Sequence, residues 1–153
     1  MSFPQTTNPN FGGRISVVGG IPVRHLRQQD AVDMGRLSEL QITLIGAGSI
    51  GSVTAVWLGK MGITNLAIYD DDIIQEHNWS NQMFTTSDIG RPKGEALWDV
   101  MESFCSFTPR VVLQAYTDQP LTEVVICAMD IVCVIPQSHL AVCSPEIAGW
   151  TVY

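Results

Sequence analysis

The stretch "GAGSIG" sets Gly46, Gly48 and Gly51 in the spacing G-x-G-x-x-G, between a β-branched run and a helix-forming one. In a loop that meets phosphate each glycine has a physical task. The first permits a tight turn, the second lets phosphate oxygens approach the backbone, and the third allows a helix to pack closely on a strand. The helix after the loop presents unpaired N–H groups and the positive end of its dipole to an anion. Asp70 stands 19 residues beyond Gly51, where a carboxylate accepts hydrogen bonds from ribose hydroxyls. These features point to nucleotide binding without choosing between NAD and ATP. The segment around Asp70 carries more than a single ribose contact needs. "YDDDIIQEHNWSNQ", residues 69–82, has three successive carboxylates and ends in a polar run with two asparagines and a glutamine.

The elements that must position these residues alternate. "QITLIGAG" reads as a buried strand, and "SIGSVTAVWLGKMG" as a helix closed by Gly62 at its C-terminal cap. "ITNLAIYD" is a second strand. "RPKGEALWDVMESF" is an amphipathic helix with Pro92 at its first turn and Leu97, Val100, Met101 and Phe104 on one face. "RVVLQAY" and "EVVICAM" read as strands three and four. Upstream, residues 25–40 suggest a helix interrupted near Gly35, and residues 1–22, rich in proline and Gly-Gly pairs, an extended arm or loose loop. Strands alternating with helices imply an α/β fold, a three-layer Rossmann-like domain with a mostly parallel sheet. Only "TDQPLT" separates strands three and four, too little for a crossover helix. Either that link is abbreviated or those strands pair differently.

The chain has 153 residues, enough for one domain with a real core; 46% are hydrophobic and 15% charged, which excludes a disordered chain. No apolar run approaches the roughly 18–20 residues that cross a bilayer, and the opening "MSFPQTTNPNFGG" lacks the basic region and apolar stretch of a signal peptide, so export is not the expectation. A net charge of −7 argues against nucleic acid or an anionic membrane as partner, and requires local cations for any bound polyphosphate. Cys105, Cys127, Cys133 and Cys143 form no C-x-x-C pair, so the usual zinc spacing is absent. Cys127 and Cys133 lie in apolar runs as reduced core thiols, and a cytoplasmic location is the expectation.

"GAGSIGS", "YDDDIIQEHNWSNQ", "DIGRPKGEAL" and "VVICAMD" occur in the order of the motifs of the ThiF/MoeB/HesA adenylyltransferases, and the chain resembles that family over residues 40–130. These enzymes are bacterial relatives of ubiquitin-activating enzymes. The resemblance implies Mg-ATP as substrate and Mg²⁺ as the metal. It further implies adenylation of the C-terminal carboxylate of a small ubiquitin-like or sulfur-carrier protein. It places Asp70 on the ribose, Asp72 as the second acid of D-x-D, and Asn78, Asn81 and Gln82 along the phosphates. It makes Lys93 the catalytic lysine and Asp130 the catalytic metal ligand. Taken alone, Lys93 reads as an exposed helical lysine, and Asp71 as a solvated charge between two functional acids. Arg27 resembles an arginine that one subunit lends to its neighbour across a homodimer.

Two departures from the pattern matter. Asn81 stands where the family carries an arginine on the phosphates, so a positive charge is missing. After Asp130 only 23 residues remain, and they match none of the family's later segments. Cys143 is the one conceivable acceptor thiol, with only His139 nearby as a base. The expected organisation is an arm over 1–22, a ThiF-like domain over 23–135 and a tail over 136–153. The expected assembly is a homodimer through the arm or the C-terminal strand region. The alternatives are an NAD-dependent oxidoreductase using the same glycine loop, and a non-catalytic nucleotide-binding module.

Overall fold

The computed structural model describes residues 5–6, 15–18, 21–117 and 122–128. Strands β1 (Gln5–Thr6), β2 (Ile15–Val18) and β3 (Ile21–Pro22) form a small antiparallel sheet. Ser16 pairs with Gln5, and Val17 with Pro22. The described residues of the expected arm therefore pair with one another as strands. A β-branched run, two glycines and a further β-branched residue, "ISVVGGI", is a hairpin pattern that the proline count obscured.

The helix expected over residues 25–40 is shorter. A 3₁₀ turn spans Val23–His25, and α1 runs only from Met34 to Glu39. The helix starts where Asp33 caps it, accepting from the backbone N–H of Arg36 at 3.0 Å. The preceding residues turn instead, because Gln28 spends its side-chain amide on the Met61 carbonyl at 2.8 Å and on His25 Nδ1. Gly35 interrupts nothing.

Beyond α1 the alternation holds. The order is β4 (Gln41–Ile45), α2 (Ser49–Met61), β5 (Asn65–Tyr69), α3 (Lys93–Cys105), β6 (Arg110–Val112) and β7 (Val124–Cys127). The four strands form a parallel sheet in the order β6-β5-β4-β7, flanked by helices: a Rossmann-like α/β fold. Ile42, Leu44, Leu66 and Ile68 from the sheet join Ala55, Val56, Leu97, Met101 and Phe107 in the core. Gly59 lets α2 and α3 approach, since a Cβ there would lie 2.8 Å from Cys105 Sγ. One residue departs from its expected face. Phe104 is exposed, with the Lys60 ammonium 5.4 Å from its ring centroid.

The topology explains the short link. Strands β6 and β7 occupy opposite edges of the sheet and never pair. Residues 113–123 join them, and that length of chain extends up to about 36 Å. The path needs only three strand spacings of about 4.8 Å and a return along the sheet. No crossover helix is required. The chain leaves β4 toward β5 and comes back to its other side as β7, so the sheet has its switch point beside β4. At such a point the carboxyl ends of the strands part and leave a crevice.

Candidate functional site

The loop between β4 and α2 is set by its glycines and by one carboxylate. Gly46 adopts φ +93° and donates its N–H to the Tyr69 carbonyl at 2.8 Å, which ties the loop to β5. Gly51 lies beneath the loop, where a Cβ would stand 1.9 Å from the Gly46 carbonyl oxygen. No side chain fits there. Gly48 caps α2 with an ordinary φ of −73°, and a Cβ on it would meet nothing within 4 Å. It faces open space.

Asp70 comes directly after β5 and is only 8% exposed. Its Oδ2 accepts from the Ala47 N–H at 2.6 Å and its Oδ1 from the Asp72 N–H at 2.9 Å. Burial raises its pKa above the ordinary carboxylate value, and the two N–H donors pull against that rise. Asp70 thus fastens the glycine loop to the segment after β5 while facing the crevice. Each of its oxygens retains a lone pair for a further donor.

Lys93 is buried, not exposed as its place at a helix start implied: the whole residue is 7% accessible. Its Nζ donates to Asp72 Oδ2 at 2.7 Å, and its backbone N–H to the Asp72 carbonyl at 2.9 Å. Pro92, which cannot donate, caps the helix in front of it. An ion pair between Arg91 and both Asp88 and Asp99 anchors the approach to α3.

Around these groups lie two cavities. One of about 270 Å³ is lined by Gly46, Gly48, Asp70, Asp71, Asp72 and Lys93, with Tyr69, Tyr116 and Ala128 among its walls. The second, about 240 Å³, is lined by Asp72, Gln75, His77, Asn78, Gln82 and Lys93, together with Ile73. The Asp72–Lys93 pair belongs to both. Asn78 Oδ1 accepts from the Gln75 N–H at 2.9 Å in a capping box, so half of its amide is already used. Gln82 Oε1 is buried with no hydrogen-bond partner among the described residues.

The structure thus gathers Gly46, Gly48, Asp70, Asp72 and Lys93 about one cavity, and Asn78 and Gln82 about its neighbour. Asp71 is exposed, as expected, but also lines the first cavity. Asn81 is exposed and lines neither. Arg27 is exposed in the turn after His25, beside the C-terminal end of α2. That is about 20 Å along the helix from the glycine loop, for 13 residues at 1.5 Å each. Asp130, Cys133, His139 and Cys143 lie outside the described residues, although Ala128, whose N–H bonds the Ile45 carbonyl at 2.8 Å, brings the end of β7 to the cavity wall. Among the described residues no three His, Cys, Asp or Glu side chains cluster to hold a metal ion. Nor is any described helix long and apolar enough to cross a membrane. Cys105 is buried, as a core thiol should be, but Cys127 is exposed.

Sequence reasoning missed three contributors. Tyr116 lies edge-on to Tyr69, with ring centroids 5.1 Å apart, and forms a cavity wall that no spacing rule announces. Ser52 is fully buried and accepts from the Met83 N–H at 3.3 Å, pinning the polar run to α2. A serine on the inner face of an otherwise apolar helix was the available signal. The capping box of Gln75 with Asn78 was legible as a Q-x-x-N spacing.

A glycine loop at the switch point of a parallel sheet, with a buried acid at the end of the next strand, is the arrangement of a Rossmann-like domain. Residues 23–135 match the ThiF family, and the chain belongs to it. It is 30% identical over 82 residues to ubiquitin-like modifier-activating enzyme 5 of Arabidopsis thaliana, covering 54% of this chain and 18% of that one. It is 38% identical over 61 residues to the sulfur carrier protein ThiS adenylyltransferase of Escherichia coli (strain K12), covering 39% and 24%. The chain therefore spans less than a quarter of the length of these curated relatives. Among solved structures, it is similar in fold to the E. coli tRNA N6-threonylcarbamoyladenosine dehydratase TcdA in complex with ATP. That match has a TM-score of 0.62 at 21% identity and covers 69% of this chain and 48% of that one. E. coli MccB matches with a TM-score of 0.59 at 21% identity, over 63% and 29%.

Proposed function

We propose that this domain binds Mg-ATP in the crevice beside β4 and adenylates the C-terminal carboxylate of a small ubiquitin-like or sulfur-carrier protein. The observation that carries the reading is the convergence of Gly48, Asp70 and Lys93, from three separate elements, on one cavity at the carboxyl ends of the strands. Asp70 takes the ribose hydroxyls on its free lone pairs. The open face of Gly48 and the N–H groups opening α2 receive phosphate. Lys93 neutralises charge that grows as the carboxylate attacks the α-phosphate and pyrophosphate departs. Asn78 and Gln82 line the path of the leaving group, and exposed Asn81, next to Gln82 in sequence, would have to turn inward to add a neutral donor there. The described carboxylates fit the role of helpers, not of a metal cage, since Asp70 and Asp72 are already hydrogen-bonded. Asp130 is the residue proposed to hold Mg²⁺, in keeping with an ion that takes one or two carboxylates and otherwise phosphate and water.

The family supports the choice of ATP over NAD, and only a reaction that releases pyrophosphate gives Lys93 a growing charge to neutralise. A homodimer is part of the reading. Arg27 lies too far from its own glycine loop to serve it, so a role on phosphate would be in a neighbour's site. One observation favours a second reading, a non-catalytic nucleotide-binding module: exposed Asn81 supplies no charge where the family pattern carries an arginine.

ATP–pyrophosphate exchange with a candidate carrier protein tests the reading. Exchange in the wild type, lost in Lys93→Ala with only a modest weakening of Mg-ATP binding, is the expected result. Mg-ATP binding without exchange would favour the non-catalytic module. Tighter binding of NAD than of ATP, unaffected by Mg²⁺, would retire both.

A further inference from the structure

Lys93 and Asp72 are unequal partners. The lysine side chain is 9% exposed and the aspartate side chain 68%. The ammonium is hemmed in by the protein, whereas the carboxylate can swing into water and be rehydrated at little cost. The backbone of Asp72 is fixed separately, through its N–H on Asp70 and its carbonyl on the Lys93 N–H. Releasing the side chain therefore disturbs neither segment.

The pair also stands where the two cavities meet. Neither cavity reaches the roughly 300 Å³ at which small-molecule pockets begin, and joined through the pair they fall within the usual range. Three carboxylates and one ammonium line the first cavity, so a polyphosphate entering it meets a surplus of negative charge. The one described cation that could receive it is already engaged.

The geometry points to Asp72 as a displaceable counter-ion of Lys93: it holds the ammonium in place in the empty site and yields it to a phosphate oxygen. This rests on the nucleotide reading above but changes the task of Asp72 within it. The aspartate does not bind the nucleotide. It is a positioning residue that occupies the phosphate's place on Lys93 until phosphate arrives. Binding is then an exchange of one anion for another on a fixed lysine, and its affinity carries the cost of the displaced pair.

Calorimetric titration with metal-free inorganic tripolyphosphate and with Mg-ATP tests this on the wild type, Asp72→Asn, Asp72→Glu, Lys93→Met and the Asp72→Asn/Lys93→Met double variant. Asp72→Asn should lower the melting temperature of the empty protein and yet bind both ligands roughly tenfold more tightly, the scale of one charge-assisted hydrogen bond no longer displaced. A merely structural role would not give those opposite signs. Asp72→Glu keeps the charge and should show no gain. In the Lys93→Met background the gain should vanish. Should Asp72→Asn fail to fold, Asp72→Ser replaces it on the exposed partner. Weaker Mg-ATP binding in Asp72→Asn would make Asp72 a direct ligand and overturn the proposal. So would a gain that persists without Lys93, which would mean general repulsion. Mg-ATP bound equally by wild type and Asp72→Asn defeats the exchange while leaving the nucleotide reading intact. Tripolyphosphate showing the full pattern when Mg-ATP binds to no variant supports the exchange and defeats the nucleotide reading instead.

Discussion

Helix α2 has a glycine at each end, and the two ends are built in opposite ways. At the N-terminal end Gly48 has an ordinary φ and faces empty space, with carboxylates and Lys93 around it. At the C-terminal end Gly62 adopts φ +107°, and its N–H caps the helix on the Leu58 and Gly59 carbonyls. There the space is filled. A Cβ on Gly62 would lie 2.9 Å from Met34 Cε and 3.6 Å from the buried His25 ring. Two residues of one type thus serve different ends. Gly62 is required by backbone conformation and packing, whereas Gly48 leaves open the space that the proposed phosphate would take. The helix is closed where it packs against the protein and open where the proposed nucleotide would sit.

Substitutions at the glycines break this comparison in order of size. Gly51→Ala should cost most, because the new methyl would collide with backbone beneath the loop. A loss of more than about 3 kcal/mol, read by chemical denaturation, is expected for so tight a site. Gly62→Ala should cost about 1–3 kcal/mol, from the left-handed φ and the crowding against Met34, and leave nucleotide affinity unchanged. Gly48→Ala should reverse that pattern. Its stability should stay within about 1 kcal/mol of wild type, since the position is half-exposed at a helix cap. Its affinity for Mg-ATP in calorimetry should fall roughly tenfold or more, because the methyl takes the space of a phosphate contact. A Gly48→Ala variant that loses stability but not affinity would erase the distinction between the two ends.

The smallest effect is the pH dependence, and the two ends should differ in its sign. At the closed end, burial, with help from the Arg24 charge, lowers the pKa of His25 below 6.5. The unfolded chain then binds the extra proton, so stability is lost as pH falls through 6.5. At the open end, burial raises the pKa of Asp70 above 3.8, so the folded chain holds the extra proton and stability is lost as pH rises from 3.8 through that window. Denaturation midpoints across the acid range should show both slopes, the first absent in His25→Asn and the second in Asp70→Asn.

Much of this was legible in the chain itself. The glycine spacing, the β-branched runs and Gly62 fixed β4, α2 and β5 because each is a local signal: periodicity, cap and turn chemistry act within a few residues. The positions of Gly46 and Gly48 in the loop after β4, and of Asp70 at the end of β5, were legible for the same reason. The opening of α1 at Asp33 was missed because Gln28 bonds to Met61, 33 residues away, and no local pattern contains that contact. Phe104 fits the helical period yet faces solvent, since the period marks a stripe without saying how wide a neighbour covers it.

What the sequence determined alone is the series of elements and the residue types delivered to their ends, because backbone geometry and side-chain spacing are properties of short segments. Tertiary structure decided the rest. It set β6 and β7 at opposite edges, which dissolved the problem of their short link and opened the crevice beside β4. It also buried Lys93 against Asp72, 21 residues away in sequence, and left the carboxylate outside. Exposure and pairing of charges depend on which distant segments come to lie over them, and that is a property only the folded chain possesses.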